Sequence, residues 1–329
     1  MNLLEVKNLK KCFPTGKGLL HAVDDVSFTI EQNKTLGVVG ESGCGKSTLG
    51  RIIMGLIEPT GGQIIFKGEE LTAGKKRVKK QTRRDMDIIF QDPYASLDPR
   101  MCVRDLIAEP LDIAGIYNSS AERLERVEEL MGIVGLAPRF AMSFPHELDG
   151  GRRQRIGVAR AIALDPSFIV CDEPVSALDV SIQAQILNLL QDLQDTKGLT
   201  YMFITHNLSV VRHISDEILV MYLGCVVEKS GTKELFANPL HPYTRGLFSA
   251  IPVPVVRKKK KRILLRGEVA SPIDPKPGCR FAPRCPFAKE DCRQNTPELR
   301  EIETGHMIAC HHVEEINLAI GQTKILPQI

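Results

Sequence analysis

The 329-residue chain carries 43 basic and 40 acidic side chains, which give a net charge of +3, and 43% of its residues are apolar. These are ordinary values for a globular protein, and so small a net charge gives no reason to expect nucleic acid as the main partner. The length allows one large domain and a smaller one.

The sequence predicts neither a signal peptide nor a membrane helix. Residues 1–11 are charged from Glu5 onward and lack an apolar core. The longest apolar run, residues 218–227, is far shorter than the ~20 residues that a membrane helix needs. We therefore expect a cytosolic protein whose nine cysteines do not form disulfides. Two basic clusters, residues 75–84 and 257–262, are typical of solvated faces or linkers, although either could lie against anionic lipid.

The N-terminal part of the chain opens with strands and a glycine-rich loop. Residues 2–30 alternate apolar and polar side chains around a turn, which predicts antiparallel strands. The apolar run at residues 36–39 predicts another strand, and a glycine-rich turn separates it from an apolar-periodic segment that begins at Lys46. Residues 61–68 predict a short edge hairpin, and residues 103–136 predict helices.

Farther along, buried strands alternate with helices. Apolar runs at residues 87–90, 167–171 and 200–205 predict the strands. Such alternation predicts an α/β fold with a parallel sheet, whose ligand lies at the carboxyl ends of its strands. The polar side chains that follow these strands are Gln91, Asp172, Glu173 and His206. We therefore expect them to lie at one functional site.

The glycine-rich turn fits the phosphate-binding pattern G-x-x-x-x-G-K-[ST] between a strand and a helix. Its glycines allow backbone N–H groups to surround phosphate oxygens, and the helix adds its unpaired amides. Lys46 would reach the β- and γ-phosphates, and Ser47 would bind Mg²⁺. The expected nucleotide contacts are Gly40, Glu41, Ser42, Gly43, Cys44, Gly45, Lys46, Ser47 and Thr48. Phe13, upstream of the loop, would stack on the base or pack in the core.

The residues at the strand ends supply the rest of a hydrolytic site. Mg²⁺ opposite a phosphate loop needs an acidic ligand, so Asp172 is expected to hold the metal directly or through water, with Gln91 beside it. Glu173 is expected to orient or deprotonate the attacking water. Gln91 and His206 are placed to contact the γ-phosphate end. Together these residues predict hydrolysis of a nucleoside triphosphate.

This set of motifs resembles the ATP-binding-cassette (ABC) ATPases. The segments GESGCGKST (40–48) and FIVCDEP (168–174) resemble the phosphate loop and the metal-binding strand with its catalytic glutamate. Gln91 resembles the Q-loop glutamine, His206 the switch histidine, and SALD (176–179) the D-loop. For residues 1–235 the resemblance implies a RecA-like parallel sheet, an N-terminal antiparallel β subdomain and a helical subdomain at about residues 92–160.

The tail narrows the resemblance to ATPases of oligopeptide/dipeptide importers. The evidence is NPLHPYTRGLFSAIP (238–252) and the cysteine-containing segments after it. Residues 236–329 are then expected to form a small, irregular, cysteine-rich C-terminal domain. The resemblance implies a second ATPase subunit, expected to be a different chain, two membrane permease subunits and, indirectly, an extracytoplasmic peptide-binding protein. It also implies a peripheral location at the cytoplasmic face of the inner membrane.

Two other interpretations remain open. The same ATPase could serve another permease, for nickel, a sugar or an exported peptide, because an ATPase subunit contacts the permease and not the cargo. It could also be a soluble cassette ATPase of translation or DNA repair. The single cassette and the importer-like tail argue against that class.

The signature motif departs from the family pattern. The family reads Leu-Ser-Gly-Gly-Gln, whereas this chain reads Leu148, Asp149, Gly150, Gly151 and Arg152. The family serine donates a hydrogen bond to the γ-phosphate across the dimer, but an ionised aspartate has no donor. At ~4 Å each charge pair would cost about 1 kcal/mol in water and about 4 kcal/mol at an intermediate dielectric. Aspartate caps a helix as well as serine does, and Arg152 could pair with Asp149 or touch phosphate.

This departure predicts two unequal ATP sites. The ATP held between the partner's loop and this signature would be hydrolysed poorly or not at all. The ATP on this chain's own loop would be the one that turns over. The alternative is that Arg152 compensates fully and both sites work.

Four cysteines crowd the tail with the spacing C-x5-C-x6-C-x17-C: Cys279, Cys285, Cys292 and Cys310. The segment has no obvious core of its own, so a metal could stabilise it. Four thiolates suit an iron–sulfur cluster or zinc. The spacing is wider than in most zinc sites and the family resemblance implies a [4Fe-4S] cluster, but zinc, with His311 or His312 as further ligands, and free thiols remain alternatives.

Overall fold

The computed structural model describes residues 1–72, 80–92, 94–117, 119–251, 263–265, 267–268 and 270–320. The basic cluster at 257–262 and residues 75–79 of the cluster at 75–84 lie outside these residues. The chain forms two units. The first contains Met1–Ile30, Thr35–Ala73 and Ile204–Ile329, and the second contains Glu31–Lys34 and Gly74–Phe203.

The described strands and helices follow one another along most of the chain. The strands are β1 (Asn2–Thr15), β2 (Gly18–Glu31), β3 (Thr35–Val39), β4 (Gly61–Phe66), β5 (Glu69–Glu70), β6 (Met86–Ile89), β7 (Phe168–Asp172), β8 (Thr200–Ile204), β9 (Glu217–Tyr222), β10 (Cys225–Gly231), β11 (Arg300–Glu303) and β12 (His306–Ile308). The helices are α1 (Lys46–Ile53), α2 (Lys80–Arg84), α3 (Val103–Ala114), α4 (Ser120–Ile133), α5 (Gly150–Ala161), α6 (Val180–Lys197), α7 (Leu208–Ile214), α8 (Thr232–Ala237), α9 (Pro242–Ser249), α10 (Glu290–Gln294) and α11 (Val313–Ile320).

An antiparallel sheet in the first unit has the strand order β2-β1-β4-β5. The register pairs Leu4 with Phe66 and Val6 with Ile64. Successive side chains of a strand point to opposite faces, so this register places four buried apolar side chains on one face. The antiparallel strands predicted from residues 2–30 and the hairpin predicted from 61–68 are confirmed.

A second sheet in the first unit has the order β11-β12-β10-β9-β3, with β3 and β9 parallel. The apolar run at residues 218–227 therefore forms most of β9 and the start of β10, and its strand residues Ile218 to Met221 are fully buried. Strands buried on both faces read as continuous apolar runs. Among the described helices, none combines the length and the apolar character needed to cross a bilayer.

The second unit contains the strands β8-β7-β6 and a group of helices. Strands β6 and β7 are parallel. Helices α3, α4 and α5 pack against one another, and Ser119 begins α4 by accepting a hydrogen bond from the N–H of Ala121. The helices predicted from residues 103–136 are confirmed, with a break between α3 and α4.

The tail has more regular structure than its sequence predicts. Strand β12 pairs with β10, and Tyr243, Phe248 and Phe281 pack in one buried cluster with Val39 and Tyr222. The sequence predicts an irregular tail because this segment has no obvious core of its own. The physical reason for the difference is that the tail completes a core contributed by β3 and β9. The domain boundary near residue 235 stays a prediction.

Candidate active site

The phosphate loop follows β3 directly and needs glycine at two points of close backbone approach. Gly40 and Gly45 have φ angles of 154° and 102°. A Cβ on Gly40 would lie 2.2 Å from the carbonyl oxygen of Met221, and one on Gly45 would lie 2.0 Å from that of Ala22. These distances exclude any side chain. The close packing around the loop therefore requires glycine where the motif has it.

Lys46 begins α1 and is buried, with 5% of its surface exposed. Its Nζ donates hydrogen bonds to the carbonyl oxygens of Gly40 (2.9 Å) and Glu41 (3.0 Å). The ammonium group is thus held inside the loop whose N–H groups are expected to surround phosphate. Ser47 and Thr48 follow in the first turn of α1, where the helix's unpaired amides add to an anion site.

Two other predicted residues lie in the first unit. His206 is exposed and follows β8, where the N–H of Thr205 donates to the carbonyl oxygen of Val38 on the phosphate-loop strand. Asn207 then caps α7 by accepting from Ser209 and Val210. Phe13 lies near the end of β1, half-buried, with Lys11 Nζ 4.8 Å from its ring centroid. Its role at the base stays a prediction.

In the second unit the structure brings Gln91 and Glu173 together. Strands β6 and β7 are in register, with Ile89 opposite Cys171. Gln91 and Glu173 each lie two residues beyond these partners, so their side chains come close together. Gln91 Nε2 donates to Glu173 Oε2 at 3.1 Å. Glu173 has a φ of 51°, which is uncommon for a residue other than glycine, and such backbone strain clusters at functional sites. Asp172, at the end of β7, is 2% exposed.

The signature segment begins α5. Asp149 caps the helix by accepting from the N–H of Arg152 at 2.8 Å, as the sequence predicts. The two side chains also form an ion pair of 2.5 Å, and both are exposed by about half. The Arg152 guanidinium lies 4.7 Å from the ring centroid of Phe140. Space beside Gly151 is tight, because a Cβ there would lie 2.7 Å from the Ile182 side chain, which would have to shift. The ion pair shows that the Arg152 side chain is turned towards Asp149.

All four tail cysteines line one small cavity, together with Phe281, Phe287 and His312 among others. Burial raises the pKa of Cys279 to about 11 and that of Cys310 to about 12, and it raises the pKa of Cys285 as well. Without a cation these thiols stay protonated. A metal would supply the positive charge that buried thiolates need, so the donor set fits a metal group.

The spacing of the sulfurs bears on which group fits. In the part of the chain that the structure describes, the groups of possible ligand atoms within 4.8 Å of one another contain no three cysteine sulfurs. A single tetrahedral zinc with Zn–S bonds of ~2.3 Å requires sulfurs about 3.8 Å apart. Cys292 does lie in one such group, with Asp291 and His312. His311 Nε2 instead lies 2.9 Å from the carbonyl oxygen of Asn295.

Two family models match the sequence. The model described as "ABC transporter" matches residues 23–176, which include the phosphate loop, Gln91, the signature segment, Asp172 and Glu173. The model described as "Oligopeptide/dipeptide transporter, C-terminal region" matches residues 227–292, which include three of the four tail cysteines. An oligopeptide transport ATP-binding protein of Bacillus subtilis is 51% identical over 319 residues, covering 94% of this chain and 97% of that protein.

This chain belongs to the ABC transporter ATPases. It lies in their oligopeptide/dipeptide branch and is an ATP-hydrolysing transport subunit. A dipeptide transport ATP-binding protein of Haemophilus influenzae is 49% identical, covering 95% of this chain and 97% of that one.

Solved ABC structures support the same fold. The dimeric ATP-binding cassette MJ0796, bound to ADP and phosphate, matches with a TM-score of 0.62 at 29% identity, over 70% of this chain and 98% of that one. CbiO1 of Clostridium perfringens, part of an ABC transporter complex, matches with a TM-score of 0.62 at 25% identity, over 72% of this chain and 91% of that one. The expected ABC ATPase fold is therefore confirmed.

Sequence reasoning missed two residues that contact the phosphate loop of this ABC ATPase. Tyr243 and Arg284, both in the tail, bind Glu41. Neither belongs to a nucleotide motif, and they lie 202 and 243 residues from Glu41. The available signal was an arginine within a cysteine-rich segment, which by itself does not identify a partner.

Proposed function

We propose that this ABC ATPase energises the import of short peptides through a membrane permease. The observation that carries the proposal is the match of residues 227–292 to the oligopeptide/dipeptide transporter C-terminal model. This segment lies outside the cassette match at residues 23–176, so it distinguishes the chain from ABC ATPases in general. Peptide relatives at about half identity over nearly the whole chain support the same cargo class. The ATPase would act at the cytoplasmic face of the membrane.

Within that assembly this chain pairs with a second, different ATPase subunit, and two ATP molecules lie between the two. The dimeric structure of the similar cassette MJ0796 supports a dimeric arrangement. Each site then combines the phosphate loop of one subunit with the signature of the other. Two permease subunits receive the resulting motion, and a peptide-binding protein on the other side of the membrane delivers the cargo.

On this chain's own loop, Lys46 and the loop amides bind the phosphates of ATP. Mg²⁺, when bound, offsets phosphate charge, and Ser47, Gln91 and Asp172 are the side chains that would hold it. Glu173 orients the attacking water, and Gln91 holds the Glu173 carboxylate through the 3.1 Å hydrogen bond. His206 contacts the γ-phosphate end.

The signature of this chain would serve the other ATP poorly. Asp149 offers no donor to a γ-phosphate, and its carboxylate adds negative charge there. Arg152 is paired with Asp149 and stacked over Phe140, so it offsets the charge without replacing the lost donor. The proposal is therefore one working site, on this chain's loop, and one weak site.

The four tail cysteines are proposed to hold a [4Fe-4S] cluster. The support is the shared cavity and a sequence spacing of the cysteines that is wider than in most zinc sites. Purification without oxygen should give a brown protein whose broad visible absorption bleaches on reduction. A colourless protein with one equivalent of zinc would contradict the cluster and indicate a zinc site, for which Cys292 and His312 are possible ligands.

The cargo proposal is tested by co-purifying the tagged chain with its membrane partners and reconstituting the complex in proteoliposomes. Peptides of two to five residues should stimulate ATP hydrolysis when the binding protein is present. Nickel and sugars are the matched controls. Stimulation by either control, and none by peptides, would contradict the peptide proposal. Purification without any permease would favour the soluble class of cassette ATPases.

A further inference from the structure

A buried tyrosine of the tail holds the backbone of the phosphate loop. The Tyr243 hydroxyl accepts a hydrogen bond from the N–H of Glu41 at 2.9 Å. Tyr243 lies in the first turn of α9 and is fully buried. The His241 side chain caps this turn by accepting from the N–H of Tyr243 at 3.1 Å. The hydroxyl is therefore held in a fixed position beneath the loop.

An arginine of the tail binds the side chain of the same loop residue. Arg284 Nη1 lies 2.8 Å from Glu41 Oε2, with 9% and 28% of the two side chains exposed. Arg284 also lies 3.5 Å from the Tyr222 hydroxyl. The Glu41 carboxylate raises the pKa of Arg284 above its ordinary value. This ion pair is largely shielded from solvent, so it is less weakened by water and salt than a surface pair.

Glu41 is the point at which these contacts meet. Its carbonyl oxygen accepts from Lys46 Nζ at 3.0 Å, its N–H donates to Tyr243, and its carboxylate pairs with Arg284. A free carboxylate at the second position of a phosphate loop would repel a triphosphate. Arg284 offsets that charge while Tyr243 fixes the backbone beside it.

We propose that Tyr243 and Arg284 are positioning residues of the nucleotide site, which act on bound ATP through Glu41. The inference rests on the ATPase activity of the family and not on the peptide cargo or the metal. It assigns a role in nucleotide binding to a tail that carries none of the nucleotide motifs.

The same contacts connect the cysteine segment to the phosphate loop. Arg284 directly precedes Cys285 in the sequence. Phe281 packs its ring edge against Tyr222, with centroids 5.3 Å apart, and lies 5.5 Å from Tyr243. The conformation of this segment therefore sets the position of the guanidinium that Glu41 binds.

The electrostatic part is tested with a double-mutant cycle in the assembled transporter. Arg284→Gln leaves the Glu41 charge uncompensated, so KM for ATP should rise about ten-fold with kcat within two-fold of wild type. Adding Glu41→Gln removes that charge and should bring KM for ATP back to within about three-fold of the wild-type value. Arg284→Lys keeps the charge, so its KM for ATP should lie between those of wild type and Arg284→Gln. An unchanged KM in Arg284→Gln, or a double variant as impaired as the single one, would overturn the proposal.

The backbone part is tested with Tyr243→Phe, which removes only the hydroxyl. KM for ATP should rise about three- to five-fold. Tyr201→Phe is the matched control, because Tyr201 is also buried and its hydroxyl also binds one backbone atom, the carbonyl oxygen of Leu190 at 3.0 Å. Its KM should stay at the wild-type value even if its melting temperature falls. Equal changes in KM for both variants would show a general stability effect and would overturn the role of Tyr243.

Discussion

Gln91 donates a hydrogen bond to the Glu173 carboxylate at 3.1 Å, from the end of one parallel strand to the end of its neighbour. The contact orients the carboxylate that is proposed to activate the attacking water. It also links that carboxylate to the segment that follows Gln91. A movement of Gln91 would therefore change the orientation of Glu173.

Removing the Gln91 amide should slow hydrolysis without abolishing it. Gln91→Ala leaves the Glu173 carboxylate in place but unoriented, so kcat should fall about ten-fold, less than the roughly 100-fold or more expected when a positioned acid–base group itself is removed. The measurement is steady-state ATP turnover of the assembled transporter. Gln63→Ala, at an exposed position on β4, is the control and should turn over at the wild-type rate. An unchanged kcat in Gln91→Ala would contradict the orienting role.

Gly45 should tolerate no side chain. In Gly45→Ala the Cβ meets the carbonyl oxygen of Ala22 at 2.0 Å, at a φ of 102° that L-residues rarely adopt. Affinity for a fluorescent ATP analogue should fall at least about 100-fold, because the loop must move to relieve the clash. Gly157→Ala in α5 is the comparison, since nothing lies within 4 Å of its added Cβ. That variant should bind the analogue within two-fold of wild type.

Asp87 should make stability depend on pH. Burial raises its pKa from 3.8 to about 7, so between pH 4 and 7 the folded protein keeps a proton that the unfolded chain has released. Stability contributed by the neutral carboxyl is therefore lost as pH rises through this window. Asp87→Asn cannot ionise, and its free energy of unfolding relative to wild type should rise by about 1 to 4 kcal/mol between pH 5 and pH 8. Thermal unfolding at both pH values measures this difference, and a constant difference would contradict the shifted pKa.

The placement of the residues at the strand ends could be predicted from the sequence, whereas the contacts made by the tail could not. Gln91 and Glu173 could be placed together because each follows a short apolar run, and parallel strands bring such ends to one edge. The cap at Asp149 also followed from local sequence. The contacts of Glu41 with Tyr243 and Arg284 could not be predicted, because they depend on how the tail folds back over 202 and 243 residues. The regular structure of the tail was missed for the same reason, since its core is shared with β3 and β9.

The proposal that the two ATP sites are unequal is tested at Asp149. Asp149→Ser keeps a helix cap and restores a hydroxyl donor, so the weak site should begin to hydrolyse ATP. Total turnover of the transporter should then rise up to about two-fold. Arg152→Gln, which leaves the aspartate uncompensated, should not increase turnover. An Asp149→Ser transporter with wild-type turnover would indicate that Arg152 compensates and that both sites already work.

We propose that this chain's own loop and Glu173 form the site that turns over. The most direct measurement is ATP turnover of the reconstituted transporter carrying Glu173→Gln in this subunit alone, with nucleotide binding measured in parallel. Nucleotide binding should persist while hydrolysis falls about 100-fold or more, because the amide cannot accept a proton from water. Turnover equal to wild type would show that hydrolysis takes place at the other site and would contradict this assignment.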